Sequence, residues 1–170
     1  MPMRDHFRMF AGYNRWANER LYTAAATIPD AEYRKDRKGF FKSIHGTFNH
    51  ILVGDRIWLM RITGQGTRPK TLDEILYDDL ASLRVARQAE DARIIAAIDA
   101  FDEAALAKPL IYHSMKGDRY EQPMAEILAH FQNHQTHHRG QAHDMLSQAL
   151  NSAGIEPPSL DLLNYQRERQ

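Results

Sequence analysis

Four of the nine histidines fall within one short stretch, Ile127-Leu-Ala-His130-Phe-Gln-Asn-His134-Gln-Thr-His137-His138-Arg-Gly-Gln141. Each helical residue turns by ~100°, so positions four apart share a face one turn along. With His134 at zero, Ile127 and Met145 fall near ~+20°, Phe131 and Ala149 near ~+60°, and Met124 and Ala142 near ~+80°. The core-facing stripe is centred near ~+60°; His138, at ~+40°, lies inside it and His134 at its margin. His130 and His137, near ~−40° and ~−60°, lie further out. Two inward imidazoles are costly to bury unless something satisfies their nitrogens. A metal ion does so, and His-x3-His on a helix offers it two ligands. The same spacing also suits amphipathic filler, so spacing alone does not decide between metal and packing.

A third ligand must come from another helix. His45 and His50 lie about equally far, on opposite sides, from the apolar face of Ile44, Phe48, Ile51, Trp58, Leu59 and Ile62. Periodicity does not choose between them. His50 is deeper in the helix and shares its face with Thr47 and Gly54, small residues that leave room for an ion. Asp55 falls in the apolar stripe and needs a buried partner, either a histidine it orients or a first-helix residue such as Asn14 or Arg15. His6 and His113 read as surface or hairpin residues, and Arg139 and Gln141 as structural ones.

Other metal and cofactor chemistries lack their motifs. At the Glu-x-x-His spacing of bundle di-iron sites, Glu126 is followed by Ala129. His-Glu-x-x-His, Gly-x-Gly-x-x-Gly and the phosphate-loop pattern do not occur. With no cysteine there is no disulfide, thiolate site, iron–sulfur cluster or protein thiol nucleophile. Any thiol chemistry must use a thiol carried by another molecule.

The histidines need long helices to hold them. A first helix is expected from Met3 to Ala26, and a second from the Ser43 cap to Ile62 or Thr63, followed by the Gly64–Pro69 loop. A third is expected after Thr71, with Glu74 in capping-box position, running to Phe101. Leu110–Tyr112 and Arg119–Glu121 suit a short β-hairpin. Pro123 suits the start of a fourth helix ending between Asn151 and Gly154. Beyond Pro157-Pro158, Leu160, Leu162, Leu163 and Tyr165 give the tail an apolar face for docking. The expected fold is all-α: a four-helix bundle with a short β-hairpin before the last long helix. The short loop between the second and third helices suggests that they are antiparallel neighbours.

The 170 residues suit one domain spanning 1–170, and 43% hydrophobic content suits a folded chain. Lys plus Arg and Asp plus Glu both total 22, so the basic footprint of a nucleic-acid binder is missing. No apolar run approaches the ~20 residues that span a bilayer, and the first residues lack a signal-peptide layout. A cytoplasmic protein without membrane or nucleic-acid partners is expected.

Three strings together resemble the DinB (damage-inducible) family, within the superfamily that includes mycothiol-dependent maleylpyruvate isomerase. They are Tyr13-Asn-Arg-Trp-Ala-Asn-Glu-Arg-Leu21, Asn49-His-Ile-Leu-Val-Gly-Asp-Arg-Ile-Trp-Leu59 and Asn133-His-Gln-Thr-His-His-Arg-Gly-Gln141. The resemblance implies a divalent metal held by His50, His134 and His138, and so selects His50 over His45. It also implies homodimers, and a wider group containing thiol-dependent transferases and isomerases.

Three neutral imidazoles leave an ion positively charged with open positions, and imidazoles suit zinc or nickel, with iron or manganese as further candidates. The expected function is a metal-dependent enzyme acting on a small molecule. It would use a low-molecular-weight thiol, as an S-transferase or isomerase, or a metal-bound water, as a hydrolase. The competing expectation is a non-catalytic metal-stabilised bundle that serves a stress response through a partner. Asp55, His137 and Tyr13 are candidates for supporting the metal ligands or for acid–base work.

Overall fold

Ser43 opens the helix that carries His50: its hydroxyl accepts from the Gly46 N–H at 3.0 Å. The structure, a computed structural model, describes residues 1–169. Its long helices are α1 (Met3–Ala25), α3 (Ile44–Thr63), α4 (Leu80–Asp99) and α6 (Met124–Ser152). Two single-turn helices, α2 (Asp30–Arg34) and α5 (Glu103–Leu106), lie in the connections, and α7 (Leu162–Glu168) lies in the tail. Strands β1 (Pro109–His113) and β2 (Arg119–Pro123) form the expected antiparallel hairpin, with Tyr112 opposite Tyr120. Pro123 ends β2 and caps α6, so strand and helix share one corner.

The core divides into two clusters at opposite ends of the bundle. One gathers Leu21 and Tyr22 from α1, Ile44, Phe48 and Leu52 from α3, Leu83 and Ala86 from α4, and Ala142 and Met145 from α6. The other gathers Phe7 and Ala11, Leu59 and Ile62, Ile94 and Ile98, and Ile127 and Phe131 from the same four helices. Helices α3 and α4 thus both run from the first cluster to the second, while α1 and α6 run the other way. The expectation that α3 and α4 are antiparallel is corrected: they are parallel.

The physical reason lies in residues 64–79. An extended chain of that length reaches ~50 Å, whereas a 20-residue helix rises only ~30 Å. The segment leaves α3 at Gly64, where Arg93 near the end of α4 donates to the Gln65 carbonyl. It then runs back along α3, passing His50 at Leu72 and His45 and Asn49 at Tyr77. The helix expected after Thr71 therefore begins only at Leu80, capped by Asp79 accepting from the Ser82 N–H at 2.8 Å. Glu74, expected in a capping box, instead accepts from the Lys70 N–H. The Asn49 side-chain oxygen accepts from the N–H groups of Leu76 and Tyr77, replacing helical partners for this backbone.

The tail docks on α1. Tyr13 donates to the Leu160 carbonyl at 2.7 Å, and Trp16 and Arg20 both reach Glu168. Among the described residues no helix is long and apolar enough to cross a membrane.

Candidate metal centre

His50 projects from the middle of α3 towards α6, where His134 and His138 occupy one face a turn apart. One nitrogen from each ring lies within 4.8 Å of the others. The Nε2 atoms of His50 and His138 lie 3.2 Å apart. Two nitrogens each ~2.0–2.1 Å from one zinc ion at a tetrahedral angle would be ~3.3 Å apart.

The other nitrogens fix the protonation of these rings. His50 Nδ1 faces the Leu72 carbonyl at 2.7 Å, and His138 Nδ1 faces the side-chain oxygen of Gln141 at 2.8 Å. Both oxygens only accept, so in each neutral ring the hydrogen sits on Nδ1. Both Nε2 lone pairs then point at the same space, an arrangement that repels unless a cation lies between them. His134 adds a buried Nδ1 with no hydrogen-bond partner among the described residues. These features fit a metal ion, for which carbonyl-anchored imidazoles are the usual ligands.

The surroundings keep the rings neutral. Burial is the main cause that lowers the pKa of His50 to about 4, against the pull of the Leu72 hydrogen bond. His134 falls to about 3, first through burial and then through the neighbouring histidines. Burial also lowers His138. At neutral pH all three rings offer lone pairs.

Two glycines allow this geometry. A Cβ on Gly54 would lie 2.6 Å from His134 Cε1, so only a bare backbone lets that ring approach α3. A Cβ on Gly46 would lie 2.1 Å from the Phe41 carbonyl oxygen. That contact seats Phe41, whose ring stacks on His50 with centroids 3.7 Å apart and meets His138 edge-on. Phe41 therefore shields one side of the cluster from water.

His45, the alternative third ligand, faces the Tyr77 carbonyl at 3.1 Å and packs edge-on against Tyr33. His130 packs on Trp58, and exposed His137 accepts from the Gln141 amide. His143 reaches the Pro158 carbonyl in the tail, and His6 packs on Phe7 and Phe10. His113 pairs with Arg119 across the hairpin.

Asp55 is fully buried, and its partners are Arg87 of α4 at 2.5 Å and Gln135 of α6 at 3.1 Å, neither a histidine that it orients nor the first-helix residues expected. Arg87 in turn lies 3.0 Å from Asp91, which accepts from Asn14 and Asn18 of α1. Arg139 of α6 donates to Asn14 and packs over Tyr13, closing a buried polar ring through all four long helices. Its two α6 members, Gln135 and Arg139, directly follow His134 and His138. The ring thereby fixes the rotation of α6 that turns the histidines towards α3. Tyr13 belongs to this ring and to the tail contact, not to the histidine cluster.

No motif in the sequence marks Leu72 or Phe41. Arg87 carried a signal: it lies on the helical line of Leu83, Glu90, Asp91, Ile94 and Ile98, all of them buried. Gln141, expected to be structural, lies three residues after His138, where it can anchor that ring.

A family model described as "DinB family" matches residues 3–170. Protein DinB of Bacillus subtilis (strain 168) is 27% identical over 148 residues, covering 81% of this chain and 82% of that relative.

Proposed function

The chain belongs to the DinB family, and from that membership and the histidine cluster we propose that it is a metal-dependent enzyme acting on a small molecule. His50, His134 and His138 would hold a divalent transition ion, with zinc or nickel the first candidates and iron or manganese next. The observation that carries this reading is the pair of Nε2 lone pairs 3.2 Å apart with both Nδ1 hydrogens engaged elsewhere. When bound, such an ion acts as a Lewis acid and lowers the pKa of a bound water or incoming thiol.

The protein's own groups then have distinct tasks. Leu72 and Gln141 orient two of the rings and keep their hydrogens on Nδ1. Phe41 keeps water from one side, and half-buried His134 and His138 leave an approach for substrate. Since the chain has no cysteine, an S-transferase or isomerase reaction would draw its thiol from a low-molecular-weight cosubstrate. A hydrolase would need no cosubstrate beyond water.

The second reading is a metal staple without catalysis, favoured by the origin of the ligands on two helices that already pack together. Elemental analysis of protein purified without a histidine tag, followed by assays of electrophiles with small thiols, separates the readings. Metal-dependent turnover that His138→Ala abolishes with the helical spectrum intact supports the enzyme. Bound metal without turnover on any such substrate supports the staple, and absence of metal overturns both. The homodimer implied by the family belongs to the same proposal and is read by sedimentation.

A further inference from the structure

The face of α3 that carries His50 and Gly54 continues to Arg61, which helical rotation returns to within ~20° of His50 three turns further along. On the way, Trp58 of α3 meets His130 of α6 edge-on with centroids 4.9 Å apart, and His130 lies 6.1 Å from His134. These side chains form a continuous line along the α3–α6 boundary from the histidine cluster to Arg61. The line is open to solvent: Trp58 and Arg61 are half-buried and His130 is exposed.

At the end of the line the Arg61 guanidinium lies over the Trp58 ring at 4.6 Å and over the Tyr112 ring of β1 at 5.2 Å. Tyr112 is itself held in place, its hydroxyl donating to Gln122 at 2.6 Å and its ring stacked on Tyr120. Two rings thus position the guanidinium but give its N–H groups no acceptor. Arg61 has no hydrogen bond and no ion pair among the described residues, and all three of its side-chain nitrogens remain open to solvent. A planar guanidinium with free donors is the group that grips two oxygens of one anion.

The charge around Arg61 also favours an anion. Burial is the main cause that lowers its pKa, and the Arg68 charge adds to it, with no carboxylate to offset them. Arg68 donates to the Met115 carbonyl in the hairpin turn at 3.3 Å, which fixes a second cation, itself without an ion pair among the described residues. The C-terminal turn of α3 favours a cation at Arg61 through the helix dipole, yet leaves its donors unused.

We propose that Arg61 binds the carboxylate or phosphate oxygens of a small molecule lying along the α3–α6 boundary, whose other end reaches the histidine cluster roughly 10 Å away. The reaction at that other end rests on the enzyme proposed above, to which this assigns an oxyanion-bearing substrate.

The test is an NMR titration of the full chain, without added zinc, with glutarate, inorganic phosphate and neutral glutaramide at constant ionic strength. The chain has two tryptophans, so the Trp58 indole N–H is read against that of Trp16, which lies on α1 and donates to Glu168. Saturable shifts of the Arg61 Nε–H and the Trp58 indole, with Trp16 unmoved, are expected with at least one anion. The anion that binds identifies the group recognised. Arg61→Met should weaken that binding roughly tenfold or more, the loss of a charged hydrogen-bonding group, and Arg61→Lys by less. No saturable shift up to about 20 mM of either anion overturns the proposal. Equal binding of glutaramide, or an affinity that Arg61→Met leaves unchanged, overturns it too. Zinc uptake by the histidines is measured separately: anion binding without it supports the Arg61 site and sinks the metal reading, whereas zinc uptake without anion binding sinks the Arg61 site alone.

Discussion

His50 and His138 face each other through their Nε2 atoms at 3.2 Å, while the Nδ1 of each is turned to an oxygen acceptor, Leu72 O and Gln141 Oε1. One helix–helix contact thus presents two lone pairs to one point, with backbone and side-chain oxygens fixing the tautomers behind them.

Gln141 anchors one of those rings. Gln141→Leu should leave the helices intact and weaken zinc binding by roughly 10–100-fold, the usual effect of losing a group that orients a ligand. Competition titration with a chromophoric chelator measures it. An unchanged affinity would mean that the Gln141 contact does not prepare His138 for an ion.

Gly54 gives His134 its place. In Gly54→Ala the new Cβ would meet His134 Cε1 at 2.6 Å, so the ring must swing away or α3 must shift. The expected stability loss is ~1–3 kcal/mol in denaturant, as for overpacking, together with a large loss of zinc affinity. Full affinity in this variant would show that the approach of His134 to α3 is dispensable.

The buried ring sets helix rotation. Arg87→Met leaves Asp55 and Asp91 without their shared cation, both 2% exposed or less. Urea unfolding should show a loss of ~3–5 kcal/mol, the range for removing one partner of a buried ion pair. A variant as stable as the parent would mean that Arg87 contributes no net stabilisation to this ring.

Acid should destabilise the metal-free chain through the histidines. An unfolded imidazole titrates near ~6.5, whereas folded His50 and His134 titrate at about 4 and about 3. Below pH ~6.5 the unfolded chain therefore binds more protons, and stability falls as pH drops towards those folded values. Asp55 acts in the opposite sense between pH ~4 and the value of about 6 to which burial raises it, against the pull of Arg87. Comparison with His134→Leu isolates the histidine contribution. The acid limb of that variant should be shallower by ~1.4 kcal/mol per pH unit. Equal slopes would mean that His134 titrates alike in both states.

The legibility of the sequence followed the range of the interactions involved. Helices α1, α3 and α6 announce themselves by apolar periodicity and by local signals such as Ser43 and Pro123, all confined to a few residues. The start of α4 did not, because Thr71 and Glu74 imitate a cap while the carbonyls of Leu72 and Tyr77 bond to α3. The parallel course of α3 and α4 is hidden by the length of their connection, because an extended segment covers about twice the distance per residue that a helix does.

Within the site, the shared inward face of His134 and His138 was readable from helical rotation. Periodicity could not rank His45 against His50, and the structure shows why: both are buried, at 7% and 5% exposure. What distinguishes them is tertiary. His45 holds the returning 64–79 segment at Tyr77, whereas His50 turns its Nε2 to α6. The Leu72 carbonyl and the stacked Phe41 ring reach the site only through folding, and no side-chain pattern marks them.

The most direct measurement is long-range proton–nitrogen NMR of the imidazoles during a zinc titration. Before zinc, His50 and His138 should carry their hydrogens on Nδ1. One equivalent should then move a ring nitrogen of His50, His134 and His138 to the metal-bound range, with the other six histidines unmoved. Saturation of a different set of rings, or none at one equivalent, would contradict a metal centre at the meeting of α3 and α6.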